Sequence, residues 1–141
     1  MSFWTFSPWL NRLIILAVAA LFAMISLKFV LNPQHAAASS GIMLDKAVGY
    51  TNTRAGFGGF PLGFAAILVF CLFSTRRHLA ALASIATVAL VILAVRAYGA
   101  AQDGTYAESV HLLVPEAGIS VAALLGTLME MRRRALDART S

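Results

Sequence analysis

Residues 13–31 read LIILAVAALFAMISLKFVL, in which Lys28 is the one charged side chain. This length matches the roughly 20 residues with which a helix crosses a hydrocarbon core about 30 Å thick. The stretch lacks the alternation of polar and apolar residues that is typical of a half-buried strand. It therefore predicts a membrane-spanning helix, which satisfies its own backbone hydrogen bonds in lipid. The apolar run is too long for the core of a cleaved signal peptide, so we expect it to be retained.

Three further apolar stretches predict three further spans, at residues 55–74, 79–98 and 110–131. Together the four spans predict an all-α fold, an integral membrane four-helix bundle that forms a single transmembrane domain over residues 1–141. The composition agrees, since 60% of the residues are hydrophobic and 12% are charged, against about a quarter charged residues in a soluble domain. A water-soluble globule and a disordered chain are both excluded.

The basic residues indicate membrane orientation rather than a nucleic-acid partner, because they are scattered or terminal and form no stripe. In a four-span arrangement one side carries Arg12, Arg76, Arg77, Arg132, Arg133, Arg134 and Arg139, and the other carries Lys28, Lys46, Arg54 and Arg96. The positive-inside rule then predicts cytoplasmic termini for a multi-pass protein of the bacterial inner (cytoplasmic) membrane. An aromatic belt is expected before the first span, at Phe3, Trp4, Phe6 and Trp9.

The connection between the first two spans contains turn signals and one candidate helix. Asn32-Pro33 predicts a turn, and residues 42–48 predict a short interfacial helix. His35 and His78 are interpreted as loop or interface residues.

Small residues at helical spacing predict how the spans pack. Gly58, Gly59 and Gly63 are the predicted helix-packing residues of the second span, and a homodimer face through Gly59 and Gly63 is the alternative. The fourth span has one face made of Glu116, Ser120, Ala123, Thr127 and Glu130. Contact surfaces between spans are the preferred interpretation of these stripes.

Three ionisable side chains lie near the outer ends of the predicted spans: Arg96 and Glu116 within their spans, and Arg54 directly before the second span. At about 1.5 Å per residue they lie about 24–33 Å along the helices from the arginines at the other side. Charged groups at such depth face the interior of a bundle or a watery cavity. A carboxylate between two guanidiniums leaves one surplus positive charge, which suits an anionic head group. The pattern predicts an outer-side ligand pocket, which Asn52, Tyr98, Asp103 and His111 would complete.

Structural alternatives to this pocket stay open. Arg54 and Arg96 can extend to lipid phosphates, Pro115-Glu116 can start a helix, and an Arg–Glu clasp can hold spans together. Asp103, His111 and Glu116 are the only residues available for a metal, and their spacing is poor, so no metal and no cofactor are expected. No nucleotide-binding or nucleophile motif is present, and whether the chain is an enzyme stays open.

The chain resembles a bacterial family of small four-span membrane proteins, domain of unknown function 4345. The resemblance is carried by residues 52–59 (NTRAGFGG), by an arginine before Tyr98-Gly99, by Asp103-Gly104 and by Pro115-Glu116. It covers nearly the whole chain and is strongest in the N-x-R-x-x-x-G-G segment. The resemblance implies that Arg54, Arg96, Asp103 and Glu116 belong to the common design of the family, and it implies no activity.

Three functions are therefore considered. The preferred one is binding of a lipid or an amphiphilic small molecule in the outer-side pocket. The second is an accessory or structural subunit of a larger membrane complex. The third is a small intramembrane isomerase-type enzyme, with Glu116 as proton carrier. Membrane lipids are the expected partners, with a larger complex or a homo-oligomer as alternatives.

Overall fold

The computed structural model describes residues 7–140, and of Ser7 and Thr140 the backbone alone. All regular structure in this range is helical, and it contains no strand. The elements are α1 (Ser7–Leu31), α2 (Pro33–Ser39), α3 (Ala47–Thr53), a π-helical turn (Arg54–Gly59), α4 (Phe60–Leu72), α5 (Thr75–Asp103) and α6 (Tyr106–Thr140). Phe3, Trp4 and Phe6 of the expected aromatic belt lie outside the described residues.

Four helices within residues 7–140 are long and apolar enough to cross a membrane. They are Pro8–Leu31, Ala47–Leu72, Thr75–Asp103 and Tyr106–Arg139, with mean hydropathies of 2.6, 2.0, 2.4 and 1.8. The predicted all-α fold with four candidate spans is confirmed. The second of these helices begins eight residues before the predicted span because α3 and the π-helical turn run directly into α4.

The described chain divides into two compact units. We call the first the hairpin unit; it contains α1 as far as Ile15 and the chain from Cys71 onward. We call the second the seam unit; it consists of residues 16–70.

In the hairpin unit, α5 and α6 pack against each other in antiparallel directions. Near the start of α5, Nη2 of Arg134 donates to the Arg76 carbonyl at 2.7 Å, and the opposite ends of the two helices meet at Arg96 and Glu116. The helices are joined through Gly104, whose φ of 68° lies in the left-handed region that favours glycine.

The predicted contact face of the fourth span is confirmed by burial. Ser120, Ala123 and Glu130 are 2%, 0% and 0% exposed. The interpretation of Pro115-Glu116 as a helix start is wrong, because α6 begins at Tyr106 and Pro115 lies inside it. Proline is tolerated within membrane helices because neighbouring groups satisfy the backbone that it frees.

In the seam unit, α1 packs in the antiparallel direction against the helix formed by α3, the π-helical turn and α4. The Phe29 and Phe57 rings stack with centroids 5.3 Å apart, and the Phe22 and Phe64 rings meet edge to face, also at 5.3 Å. Gly58, next to Phe57, is buried where the two helices approach each other closely. A Cβ atom at Gly58 would lie 2.6 Å from Val30 Cγ2 and 3.4 Å from the Ser26 carbonyl oxygen.

The connection after α1 differs from its prediction. Asn32-Pro33 starts α2 instead of a simple turn, because the Asn32 side chain accepts from the His35 N–H at 3.3 Å and Pro33 takes the first helical position. The predicted helix at residues 42–48 is wrong over residues 42–46, since α3 begins only at Ala47.

Candidate functional site

The π-helical turn widens the second apolar helix in its glycine-rich first half. The N–H of Phe60 donates to the Ala55 carbonyl five residues earlier, which is the bond that defines this helix type. Gly56, Gly58 and Gly59 fall within the turn, and Pro61 follows it without an N–H to donate. Single π-helical turns are frequent at functional sites.

Arg54 is the first residue of this turn and is exposed. Its Nε donates to the Val30 carbonyl at 3.2 Å, one of the carbonyls that the end of α1 leaves without a helical partner. Among residues 7–140, no acidic side chain forms an ion pair with Arg54, and its two terminal nitrogens make no hydrogen bond. Its positive charge is therefore uncompensated within this range, and its terminal nitrogens are available to a ligand.

An apolar groove of about 400 Å³, which we call the seam groove, lies between α1 and α4. It is lined by Leu16, Ala19, Ala20, Ala23, Leu62, Ala65, Ala66 and Val69. The alanines create the space because their methyl groups do not fill the gap between the helix backbones. Leu62 follows Arg54 by eight residues, so the groove begins within about 12 Å of that arginine along the helix.

Arg96 and Glu116 form an ion pair between α5 and α6 in which two guanidinium nitrogens contact the carboxylate. Nε of Arg96 donates to Oε1 and Oε2 of Glu116 at 2.9 and 2.8 Å, and Nη2 lies 2.7 Å from Oε1. The side chains are 34% and 19% exposed. Charge-assisted bonds of this geometry are strong. The pair neutralises both charges and joins the two helices.

The remaining predicted pocket residues make fewer contacts. Tyr98, Asp103 and His111 are exposed, and they form no side-chain hydrogen bond to any residue in the range 7–140. Asn52 is also exposed, in the last turn of α3. Of the other predicted packing residues, Gly63 has open space where its Cβ would stand, and a Cβ at Gly59 would meet the Arg54 carbonyl at 3.8 Å.

A second polar cluster lies in the hairpin unit near the start of α5. Glu130 is fully buried and accepts from Asn11 Nδ2 at 3.2 Å, from Arg133 at 2.7 and 3.1 Å, and from Arg134 at 3.0 Å. His78 is also fully buried, in the first turn of α5, so its interpretation as a loop residue is wrong. We call Asn11, Arg12, His78, Glu130 and Arg133 the buried cluster.

Sequence reasoning missed this cluster as a site, although one signal was present. Glu130 ends the small-residue face of α6 and precedes two arginines by three and four residues, the spacing at which helical side chains meet. Asn11 fits against α6 because Gly126 has no side chain there; a Cβ at Gly126 would lie 3.4 Å from Asn11 Oδ1.

The described chain has four long apolar helices, and their ionisable side chains are paired to other groups of the chain or lie near helix ends. These features define a multi-pass membrane protein. The family described as Domain of unknown function (DUF4345) matches residues 10–127. The chain belongs to this family, as its resemblance predicted. Arg54, Arg96, Asp103 and Glu116 fall within the matched segment, and Glu130 lies beyond it. No curated protein and no solved structure matches the chain significantly.

Proposed function

We propose that the protein binds an anionic amphiphile, a membrane lipid or a molecule of that class, in the seam unit. Arg54 binds the acidic head group, and the seam groove holds the apolar chain. The observation that carries this proposal is the uncompensated guanidinium of Arg54, about 12 Å along the helix from the start of a groove lined by apolar side chains alone.

The charge of Arg54 supports an anionic partner. An ionisable group near the hydrocarbon is costly unless it is paired or hydrated, and a single carbonyl acceptor leaves the guanidinium charge unbalanced. The planar fork of an arginine suits the paired oxygens of a phosphate or carboxylate. The apolar wall of the groove disfavours a wholly polar molecule, because such a ligand would lose its hydration without gaining hydrogen bonds.

The ion pair of Arg96 and Glu116 supports binding over the isomerase alternative. Both oxygens of Glu116 accept from Arg96, so both are already engaged in a contact between α5 and α6. We assign the pair to joining α5 and α6.

We further propose that the chain forms a single transmembrane domain in the bacterial inner membrane, with both termini in the cytoplasm. The seven arginines at one side of a four-span arrangement support this orientation. Single cysteines in a Cys71→Ser background provide the test. A cysteine at Ser40 should react with a membrane-impermeant reagent in intact cells, and one at Arg139 only after lysis; the reverse pattern would invert the topology.

The binding function is tested by native mass spectrometry and lipid extraction of the gently purified protein. We expect co-purified anionic lipid in the unsubstituted protein and at least about a 10-fold loss in Arg54→Gln, since a hydrogen bond to a charged group contributes about 1.5–3 kcal/mol. The matched control is Lys28→Gln, which removes one exposed positive charge from the same unit and should leave lipid retention unchanged.

A second pair of variants tests the groove. Ala20→Phe fills the groove from an exposed lining position, whereas Ala17→Phe adds the same ring to an exposed position of α1 outside the lining. Only the first should lower lipid retention. Equal retention in Arg54→Gln and Lys28→Gln would refute the proposal. A stoichiometric protein partner without bound lipid would favour the accessory-subunit function.

A further inference from the structure

The buried cluster contains an ionised carboxylate whose charge is already balanced. Glu130 is 0% exposed and accepts four hydrogen bonds from arginine nitrogens and Asn11. Arg133 and Arg134 supply the compensating positive charge. Glu130 therefore has no electrostatic demand for an added cation, and the atoms of the cluster that lack a partner lie on Asn11, Arg12 and His78.

Four buried polar atoms of the cluster have no hydrogen-bond partner within residues 7–140. They are Nδ1 and Nε2 of His78, Oδ1 of Asn11 and Nε of Arg12. His78 and Asn11 are both 0% exposed, and His78 lies within range of the charges of Glu130, Arg12 and Arg133. The Leu72 carbonyl approaches the His78 ring without making a hydrogen bond of acceptable geometry.

These four atoms comprise equal numbers of hydrogen-bond donors and acceptors. A neutral imidazole offers one N–H donor and one acceptor nitrogen. With the N–H of Arg12 and the amide oxygen of Asn11, the cluster therefore presents two donors and two acceptors. An anion would satisfy only the donors, and a cation only the acceptors. A metal ion is further disfavoured because no three His, Cys, Asp or Glu side chains come together among the described residues.

Water is the ligand that donates and accepts in equal measure, and buried waters typically bond to about three otherwise unsatisfied groups. We propose that the buried cluster is an internal water-binding site, in which water bridges His78 to Asn11 and Arg12. The water links α1 to α5, while the bond between Asn11 and Glu130 links α1 to α6. The site is separate from the seam groove in its residues and its ligand.

Nuclear magnetic resonance of the full chain, labelled with ¹⁵N-histidine in detergent or bilayers, tests the proposal. The protein has three histidines, and His35→Gln and His111→Gln assign the signals because both residues are exposed. We expect magnetisation transfer from water to the His78 ring. A soluble gadolinium chelate should broaden the signals of His35 and His111 and leave that of His78 sharp, because its water is internal.

Two results would overturn the proposal. Absence of water transfer at His78, with transfer present at the other two histidines, would mean that the cluster is dry. Broadening of His78 by the chelate would mean that the site is open to bulk solvent.

A second measurement uses the labelled side-chain amide of Asn11. Magnetisation transfer from water to this amide should fall several-fold in His78→Phe, which removes both ring nitrogens. It should persist in His78→Gln, which keeps a donor and an acceptor. Full transfer in His78→Phe would show that His78 does not hold the water.

Discussion

Replacement of Gly58 by alanine tests how closely α1 must approach the second apolar helix. The new Cβ would stand 2.6 Å from Val30 Cγ2, about 0.8 Å short of an ordinary contact, and 3.3 Å from the Val30 backbone nitrogen. Valine has one strongly preferred rotamer in a helix, so its methyl group cannot simply turn away. Because a backbone atom is also close, α1 itself must move.

The expected change in the free energy of unfolding is the difference between an overpacking cost and a gain in helix propensity. Overpacking of this kind costs about 1–3 kcal/mol, and two of the contacts at Gly58 involve backbone, so we expect about 2–3 kcal/mol. Replacing glycine by alanine within a helix returns up to about 1 kcal/mol. Gly58→Ala should therefore lower the free energy of unfolding by about 1–2 kcal/mol.

Gly63→Ala is the matched control, because a Cβ at Gly63 meets nothing within 4 Å. This variant should be neutral or stabilised by up to about 1 kcal/mol. Thermal unfolding of both variants in one detergent, followed by far-UV circular dichroism, gives the comparison. A Gly58→Ala protein that unfolds at or above the temperature of Gly63→Ala would refute the close approach of the helices.

Two further predictions concern the ion pairs of the hairpin unit. Arg96→Gln and Glu116→Gln should be non-additive, with a coupling of about 0.5–3 kcal/mol in a double-mutant cycle of unfolding; additive effects would mean that the pair does not join the helices. Glu130→Gln should cost about 1.5–3 kcal/mol because it removes a fully buried carboxylate that accepts charge-assisted hydrogen bonds from two partly exposed arginines. Asp137→Asn, at a carboxylate 66% exposed, should change stability by less than about 1 kcal/mol in the same unfolding assay.

Hydropathy and the spacing of small residues predict the fold of this chain because the lipid bilayer constrains both the length of each span and how the spans pack. Each span must be helical and long enough, and the face of α6 that carries Ser120 and Ala123 must be small to permit packing. Local signals were less reliable where one pattern fits two structures. Asn32-Pro33 is typical of a turn and also of a helix N-terminus, and only the capping bond to His35 distinguishes them.

The candidate site was predictable in part, for a similar reason. The distances counted along the helices place Arg96 and Glu116 at similar depths in two spans. Their opposite charges then predict the ion pair that the structure contains. The contact of Arg54 with the end of α1 was not predictable, because Arg54 starts a π-helical turn that glycine spacing does not specify. His78 follows two arginines in the sequence and therefore resembles an interface residue, whereas its burial arises from tertiary packing.

The charges of the described spans explain why the proposed ligand is anionic. Glu116 is neutralised by Arg96, and Glu130 by Arg133 and Arg134, so the carboxylates that contact other helices are already satisfied within the hairpin unit. A cationic ligand would have to compete with these arginines for their oxygens. Arg54 is in the opposite situation, since it has a carbonyl acceptor but no carboxylate among residues 7–140. A negatively charged head group is therefore the ligand that improves the electrostatics of the chain without breaking a pair that already exists.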